Sequence, residues 1–151
     1  MSLETALQVI GVTIAILTFW QGLREYTRQG ASKRAEQFLL MRSRLRENRD
    51  YQQICELLEL NSPELAEIEL IKKDNFIGFY EELTLLWNSR IFSDQIVFYM
   101  FGYYALRCWR SRYFWAGLNR EQQVWAHFRD FVERMEVLEK NFQPSRRKYR
   151  L

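Results

Sequence analysis

The chain has little with which to break a helix. Six glycines and two prolines are spread over 151 residues. That is too few for the frequent tight turns of a many-stranded β fold. The two cysteines, Cys55 and Cys108, fit no C-x-x-C or zinc-finger spacing. They read as reduced thiols packed like small hydrophobes, in keeping with a reducing compartment. His127 is the only histidine. The Glu-x-x-His pair of di-iron bundles is missing, since Val124 stands three residues before it, so His127 reads as structural. No Walker loop, G-x-G-x-x-G or G-x-S-x-G occurs. No metal, cofactor or catalytic residue is expected, and the chain does not read as an enzyme.

What is present is apolar and aromatic: 48% of residues are hydrophobic and 16% aromatic. That excludes disorder and suits one domain with a real core. The net charge of +3 conceals an uneven order. Residues 1–23 hold only Glu4, residues 24–49 carry +5, residues 50–95 carry −7, and residues 96–151 carry +6. Segments of opposite sign can fold against one another, and the first basic block can also face anionic lipid.

Between Glu4 and Arg24 lie 19 uncharged residues, about 28 Å of helix against the roughly 30 Å hydrocarbon core of a bilayer. The stretch from Leu7 onward therefore predicts a transmembrane helix. Phe19 and Trp20 stand where an interfacial aromatic belt belongs, and Arg24 and Arg28 follow directly. A cleaved signal peptide is disfavoured by the absence of a basic start and of a small-residue cleavage site. A buried soluble helix and an in-plane amphipathic helix are the competing readings. With Arg24, Arg28, Lys33 and Arg34 after the run and no Lys or Arg before it, the positive-inside rule puts the short N-terminus outside. The rest then lies in the cytoplasm, which makes this a single-pass inner-membrane protein. Gly11, Ala15, Thr18 and Gly22 follow helical spacing down one small-residue face, suited to close contact with another membrane helix.

The remainder reads as an all-α bundle of four or five helices. The organisation predicted is an anchor with juxtamembrane helix over residues 1–29, a cytoplasmic domain over 30–142, and a basic tail over 143–151. Gly30 is the first expected joint. A helix with Phe38, Met41 and Leu45 on one stripe follows, then one with Ile54, Leu57 and Leu58. Ser62 and Pro63 mark a helix start, with "KKDN" at 72–75 as a break before Phe76–Trp87. Ser93 or Asp94 caps the most apolar segment, Gln95–Trp109. At 12 uncharged residues, Gln95–Leu106 is too short to span a bilayer. Gly102 within it predicts close approach of a neighbouring helix or ring. Asn119 and Gln122 form a capping-box-like start for a last helix carrying Trp125, Phe128, Val132, Met135 and Leu138.

At Phe79, Glu81, Glu82, Asp94, Phe101, Gly102 and Trp109 the chain resembles small bacterial membrane-anchored proteins grouped as a domain of unknown function. The resemblance covers Leu7 to Trp109 in order and spacing. It implies a membrane anchor with a helical cytoplasmic domain and implies no activity.

Adjacent Glu81 and Glu82 point about 100° apart on a helix and form no shared acid–base site. A Glu82 facing the core would need a partner such as Arg107 or Arg110. The tail residues Arg146, Arg147, Lys148 and Arg150 suit anionic lipid better than nucleic acid on a tethered domain. The function expected is a non-enzymatic interaction or scaffolding module at the membrane. Its partners are lipid and either its own copies through the membrane helix or another protein. The rival reading is an oligomeric pore or membrane-perturbing effector regulated by the bundle. An enzyme built on Glu82 or Asp94 lacks convergent groups.

Overall fold

The computed structural model describes residues 3–141, and side-chain surroundings from Gly11 onward apart from Thr27 and Ala31. All described elements are helical: α1 (Leu3–Glu47), α2 (Arg49–Glu59), α3 (Leu70–Asn88), α4 (Asp94–Val97), a π-helical turn (Phe98–Gly102), α5 (Tyr103–Arg110) and α6 (Ala126–Asn141). Short 3-10 turns stand at Pro63–Glu67 and Gln123–Trp125. The chain divides into two units, Met1–Glu36 and Gln37–Leu151.

In the first unit α1 runs straight through Gly30, which does not act as a joint. A lone glycine costs a helix only about 1 kcal/mol, and good helix formers flank this one. Every residue from Gly11 to Tyr26 is exposed. Among the described residues no helix is long and apolar enough to cross a membrane. From Gly11 the uncharged stretch reaches only to Leu23, 13 residues, or about 20 Å of helix. The expected transmembrane helix is not established by the structure for that reason. Its first residues, Leu7–Ile10, have side chains outside the described set.

The second unit is held by one aromatic-rich core. Met41 and Leu45 enter it from the last turns of α1, and Ile54 and Leu58 from α2. Phe76, Phe79, Tyr80 and Leu83 come from α3, Phe101 and Ala105 from the π turn and α5, and Phe128, Phe131 and Met135 from α6. Rings meet edge-on: Phe79 and Tyr80 at 5.1 Å, Phe76 and Tyr80 at 5.3 Å, Tyr80 and Phe131 at 5.4 Å. This is the geometry that aromatic quadrupoles favour.

Local signals explain the boundaries. Asn48 accepts from the amides of Asp50 and Tyr51 and so starts α2. α2 ends in a Schellman turn, with Ser62 N–H bonding to Leu57 O at 2.9 Å and Asn61 at φ 46°. Ser62 does cap, accepting from Glu64 N–H at 3.2 Å, but only over the single 3-10 turn. The "KKDN" residues stand inside α3 rather than interrupting it. Lys73 is fully buried there. Its ammonium donates to Ala116 O at 3.0 Å and Ala66 O at 3.5 Å, which ties α3 to two loops. α6 begins later than the Asn119 signal suggests. Asn119 accepts from Glu121 N–H at 3.1 Å and orders a turn ahead of the helix instead.

Gly102 meets the expectation of close approach. A Cβ there would lie 2.9 Å from Met135 Sδ and 3.2 Å from the Phe98 ring. α6 and the π turn therefore pack with no room for a side chain between them.

Candidate functional site

The predicted membrane-helix residues lie on the exposed part of α1. Gly11 and Gly22 have nothing within 4 Å of a hypothetical Cβ. Ala15 is exposed beside them. Thr18 donates its hydroxyl to Ile14 O at 2.9 Å, one turn back, the bond that lets threonine sit in apolar surroundings without an unpaired group. Phe19 and Trp20 are 66% and 65% exposed. Arg24 is exposed, and Arg28 pairs with Glu25 at 3.0 Å. Val12, Ile14, Ile16, Leu17 and Leu23 are exposed too, so the apolar surface surrounds the helix axis. Arg146, Arg147, Lys148 and Arg150 lie outside the described residues.

The charged candidates of the bundle are structural in their contacts. Glu82 pairs with Arg44 from the end of α1, at 2.5 Å, not with Arg107 or Arg110. Arg107 donates to Leu58 O and Glu59 O at 3.2 and 3.1 Å, closing the C-terminus of α2. Arg110 pairs with Glu139 at 2.7 Å. Asp94 does more than begin α4. It accepts from Trp87 Nε1 at 2.8 Å, while Arg134 stacks 3.2 Å from the centre of the Trp87 ring. His127 is exposed rather than part of the core. Glu81 is half-buried with Oε1 unpartnered. Desolvation raises its pKa, while the backbone amides of His127 and Phe128 at the start of α6 oppose the rise.

Cys55 and Cys108 are free and buried. Burial pushes the Cys55 thiol up to about 12 and moves Cys108 in the same direction. Both are therefore poor nucleophiles at neutral pH. Among the described residues no group of three His, Cys, Asp or Glu could hold a metal ion.

Two open grooves flank the π turn. One, of about 530 Å³, is lined by Phe98, Tyr99, Tyr103, Arg107 and Arg110 among others. The other, of about 470 Å³, runs between the end of α1, α2 and α5, and its lining includes Arg42, Leu45, Arg46, Met100, Phe101 and Tyr104. Sequence reasoning missed both. Arg42 and Arg46 stand four apart on a helix with an apolar stripe, which is a legible signal. The opposing wall is brought in only by tertiary packing.

No family model, curated protein or solved structure matches the chain.

Proposed function

We propose that this protein is a membrane-anchored, non-enzymatic interaction module whose first helix also contacts its own copies. In this reading residues 7–23 lie in the bilayer, with Phe19 and Trp20 at its edge. Arg24 and Arg28 face anionic headgroups on the cytoplasmic side, where the bundle resides. The Gly11–Ala15–Thr18–Gly22 face meets a second helix, and the basic tail adds attraction to the same leaflet. The bundle is the part held in place to meet a protein partner.

The observation that carries this reading is the exposure of every residue from Gly11 to Tyr26, with large apolar side chains on all sides of the axis. An exposed Val, Leu, Ile or Phe forgoes about 1.5–3 kcal/mol that burial would supply. A helix with no polar face cannot recover this by lying against one surface. Surroundings that are apolar in all directions can supply it.

Flotation of the full chain with vesicles of phosphatidylcholine and phosphatidylglycerol tests it. The native chain should float and resist extraction by high salt. Ile14→Arg with Leu17→Arg should leave it in the soluble fraction. A native chain that stays soluble in dilute salt removes the anchor. Gly11→Leu with Ala15→Leu should reduce crosslinked oligomer while flotation persists; unchanged crosslinking removes the self-association.

A further inference from the structure

The two grooves beside the π turn differ in one respect. The larger has two arginines in its lining, and both are committed: Arg107 to the carbonyls closing α2 and to the Tyr103 ring at 4.8 Å, Arg110 to Glu136 and Glu139. The smaller also has two, Arg42 and Arg46. Neither guanidinium makes an ion pair, hydrogen bond or ring contact among the described residues. Among the other described arginines of the bundle, Arg44, Arg110, Arg120, Arg129 and Arg134 pair with carboxylates, while Arg49, Arg90 and Arg112 do not and line neither groove. At four residues apart on α1, Arg42 and Arg46 present neighbouring side chains, about 6 Å between Cβ atoms. Two guanidiniums at that spacing can close on one anionic head.

The groove below them is apolar on its α1, π-turn and α5 walls, with Gln52, Cys55 and Glu56 along α2. Leu45 comes from α1, Met100 and Phe101 from the π turn, and Tyr104 from α5. The Tyr104 hydroxyl is already occupied, donating to Glu59 at 2.6 Å, so the ring contributes its face. A π turn adds a residue to the helical circuit and shifts the side chains after it, a device common at ligand sites. Here Phe98 and Tyr99 line one groove while Met100 and Phe101 line the other. Methionine is the side chain best able to adapt to a flexible apolar ligand. Glu56 also lines this groove. The charged lining of two arginines and one glutamate thus carries a single net positive charge, which matches a monoanion better than a polyanion.

We infer that the groove between the end of α1, α2 and α5 binds a single-chain monoanionic amphiphile, its charged head held by Arg42 and Arg46 and its apolar chain lying against Leu45, Met100, Phe101 and Tyr104. The volume, about 470 Å³, falls in the range of small-molecule sites. The head is a carboxylate or a phosphodiester, and the site stands whether or not α1 enters a bilayer.

The test uses the full chain, with 13C-methyl-labelled methionine and phosphatidylcholine nanodiscs present. Met100 lines the groove while Met41 and Met135 are in the core, so the Met100 methyl resonance, assigned with Met100→Leu, reports the site. Decanoate and lysophosphatidylglycerol below its critical concentration are titrated separately, and the tighter ligand identifies the head. At least one should shift Met100 saturably and leave Met135 in place. Decanol, acetate and inorganic phosphate should fail to do so. Arg42→Gln with Arg46→Gln should weaken binding at least tenfold, with unchanged thermal unfolding; Arg49→Gln, outside the groove, should not weaken it. No saturable shift with either amphiphile overturns the inference. So does equal binding by the double variant, a matching shift from decanol, or a matching shift from phosphate, which would mean a simple anion site.

Discussion

Val12, Ile14, Leu17 and Phe19 in the first unit and Ile54, Leu58, Phe76 and Phe79 in the second are the same kinds of side chain with opposite fates. The first four are exposed and the second four are at most 1% exposed. Hydrophobicity does not separate them; the packing partners each one meets do. In α2, α5 and α6 the apolar residues form a stripe, so one face turns inward and the charged face stays in water. In Gly11–Leu23 they surround the axis, and a single neighbour within the chain could cover only part of them. A striped helix is completed by its own bundle. A helix whose apolar residues are less segregated needs partners on more than one side: α3 finds them in α2, the π turn and α6, while Val12, Ile14, Leu17 and Phe19 stay exposed, and that difference underlies the proposed division between an anchoring region and a partner-facing one.

The sharpest way to break this comparison is the same kind of truncation in both places. Phe131 is fully buried, with Tyr80 and Trp87 rings each 5.4 Å away. Phe131→Ala should cost the bundle about 3–5 kcal/mol. Leu17→Ala should change its stability by less than about 0.5 kcal/mol, because Leu17 is 59% exposed. Urea unfolding followed by tryptophan fluorescence measures both. Equal losses would mean that the two regions are not energetically separate.

Alkaline pH should distinguish them next. Burial raises the pKa of Cys55, Cys108 and Tyr80 in the folded chain. For such groups the stabilising contribution is complete below the unfolded value. Its loss begins as pH passes the ordinary values of 9.0 for a thiol and 10.0 for a phenol and continues up to the raised folded values. Lys73 acts in the opposite sense, since desolvation lowers its pKa and rising pH relieves the buried charge. The three acids outnumber the one base, so stability should fall above about pH 9, each ionising group adding a slope near 1.4 kcal/mol per pH unit. Cys108→Ala should remove one such slope. Vesicle flotation, which the proposed anchor assigns to α1, should persist through the same range.

A smaller effect separates two glycines. Gly102→Ala places a methyl against Met135 and Phe98 and should destabilise the bundle by about 1–3 kcal/mol. Gly11→Ala meets nothing within 4 Å and should leave bundle unfolding unchanged. A destabilising Gly11→Ala would show packing on that face within one chain.

What was legible followed from periodicity. The helical class and the stripes of Ile54–Leu58 and Phe128–Met135 could be read from spacing, and close packing at Gly102 from the cost of a glycine within a helix. Boundaries set by a single competing interaction could not. Four polar residues interrupting an apolar run predict a break at the KKDN segment. Yet Lys73 turns inward to two loop carbonyls, and the helix continues. Glu82 does not face the core, so the condition for a partner from α5 does not arise; it stays exposed and the chain path brings Arg44 to it from α1. The groove at Arg42 and Arg46 was hidden for the same reason: one wall is local, and the other arrives from 50 residues away or more along the chain in Met100 and Phe101.

The smallest effect concerns how the bundle's helices end. α3 closes in a Schellman turn, with Ile91 N–H bonding to Leu86 O at 3.2 Å and Arg90 N–H to Trp87 O at 2.9 Å. The motif needs its second residue past the last helical turn in the left-handed region. That residue is Arg90, at φ 58°. α2 closes the same way with Asn61 at φ 46°, where the short amide side chain tolerates the conformation. An arginine there carries a Cβ penalty of about 1–2 kcal/mol, and glycine carries none. Glycine gives back part of the gain through the freedom it adds to the unfolded chain. Arg90→Gly should therefore stabilise the bundle by roughly 0.5–1 kcal/mol, read as a higher urea midpoint with an unchanged slope. Asn61→Gly should gain less, and it loses the bond from Ser111 Oγ to Asn61 Oδ1 at 3.1 Å. Arg90→Ala should gain nothing, because alanine keeps the Cβ. A stabilisation by alanine equal to that by glycine would place the effect in the arginine's charge instead of its backbone.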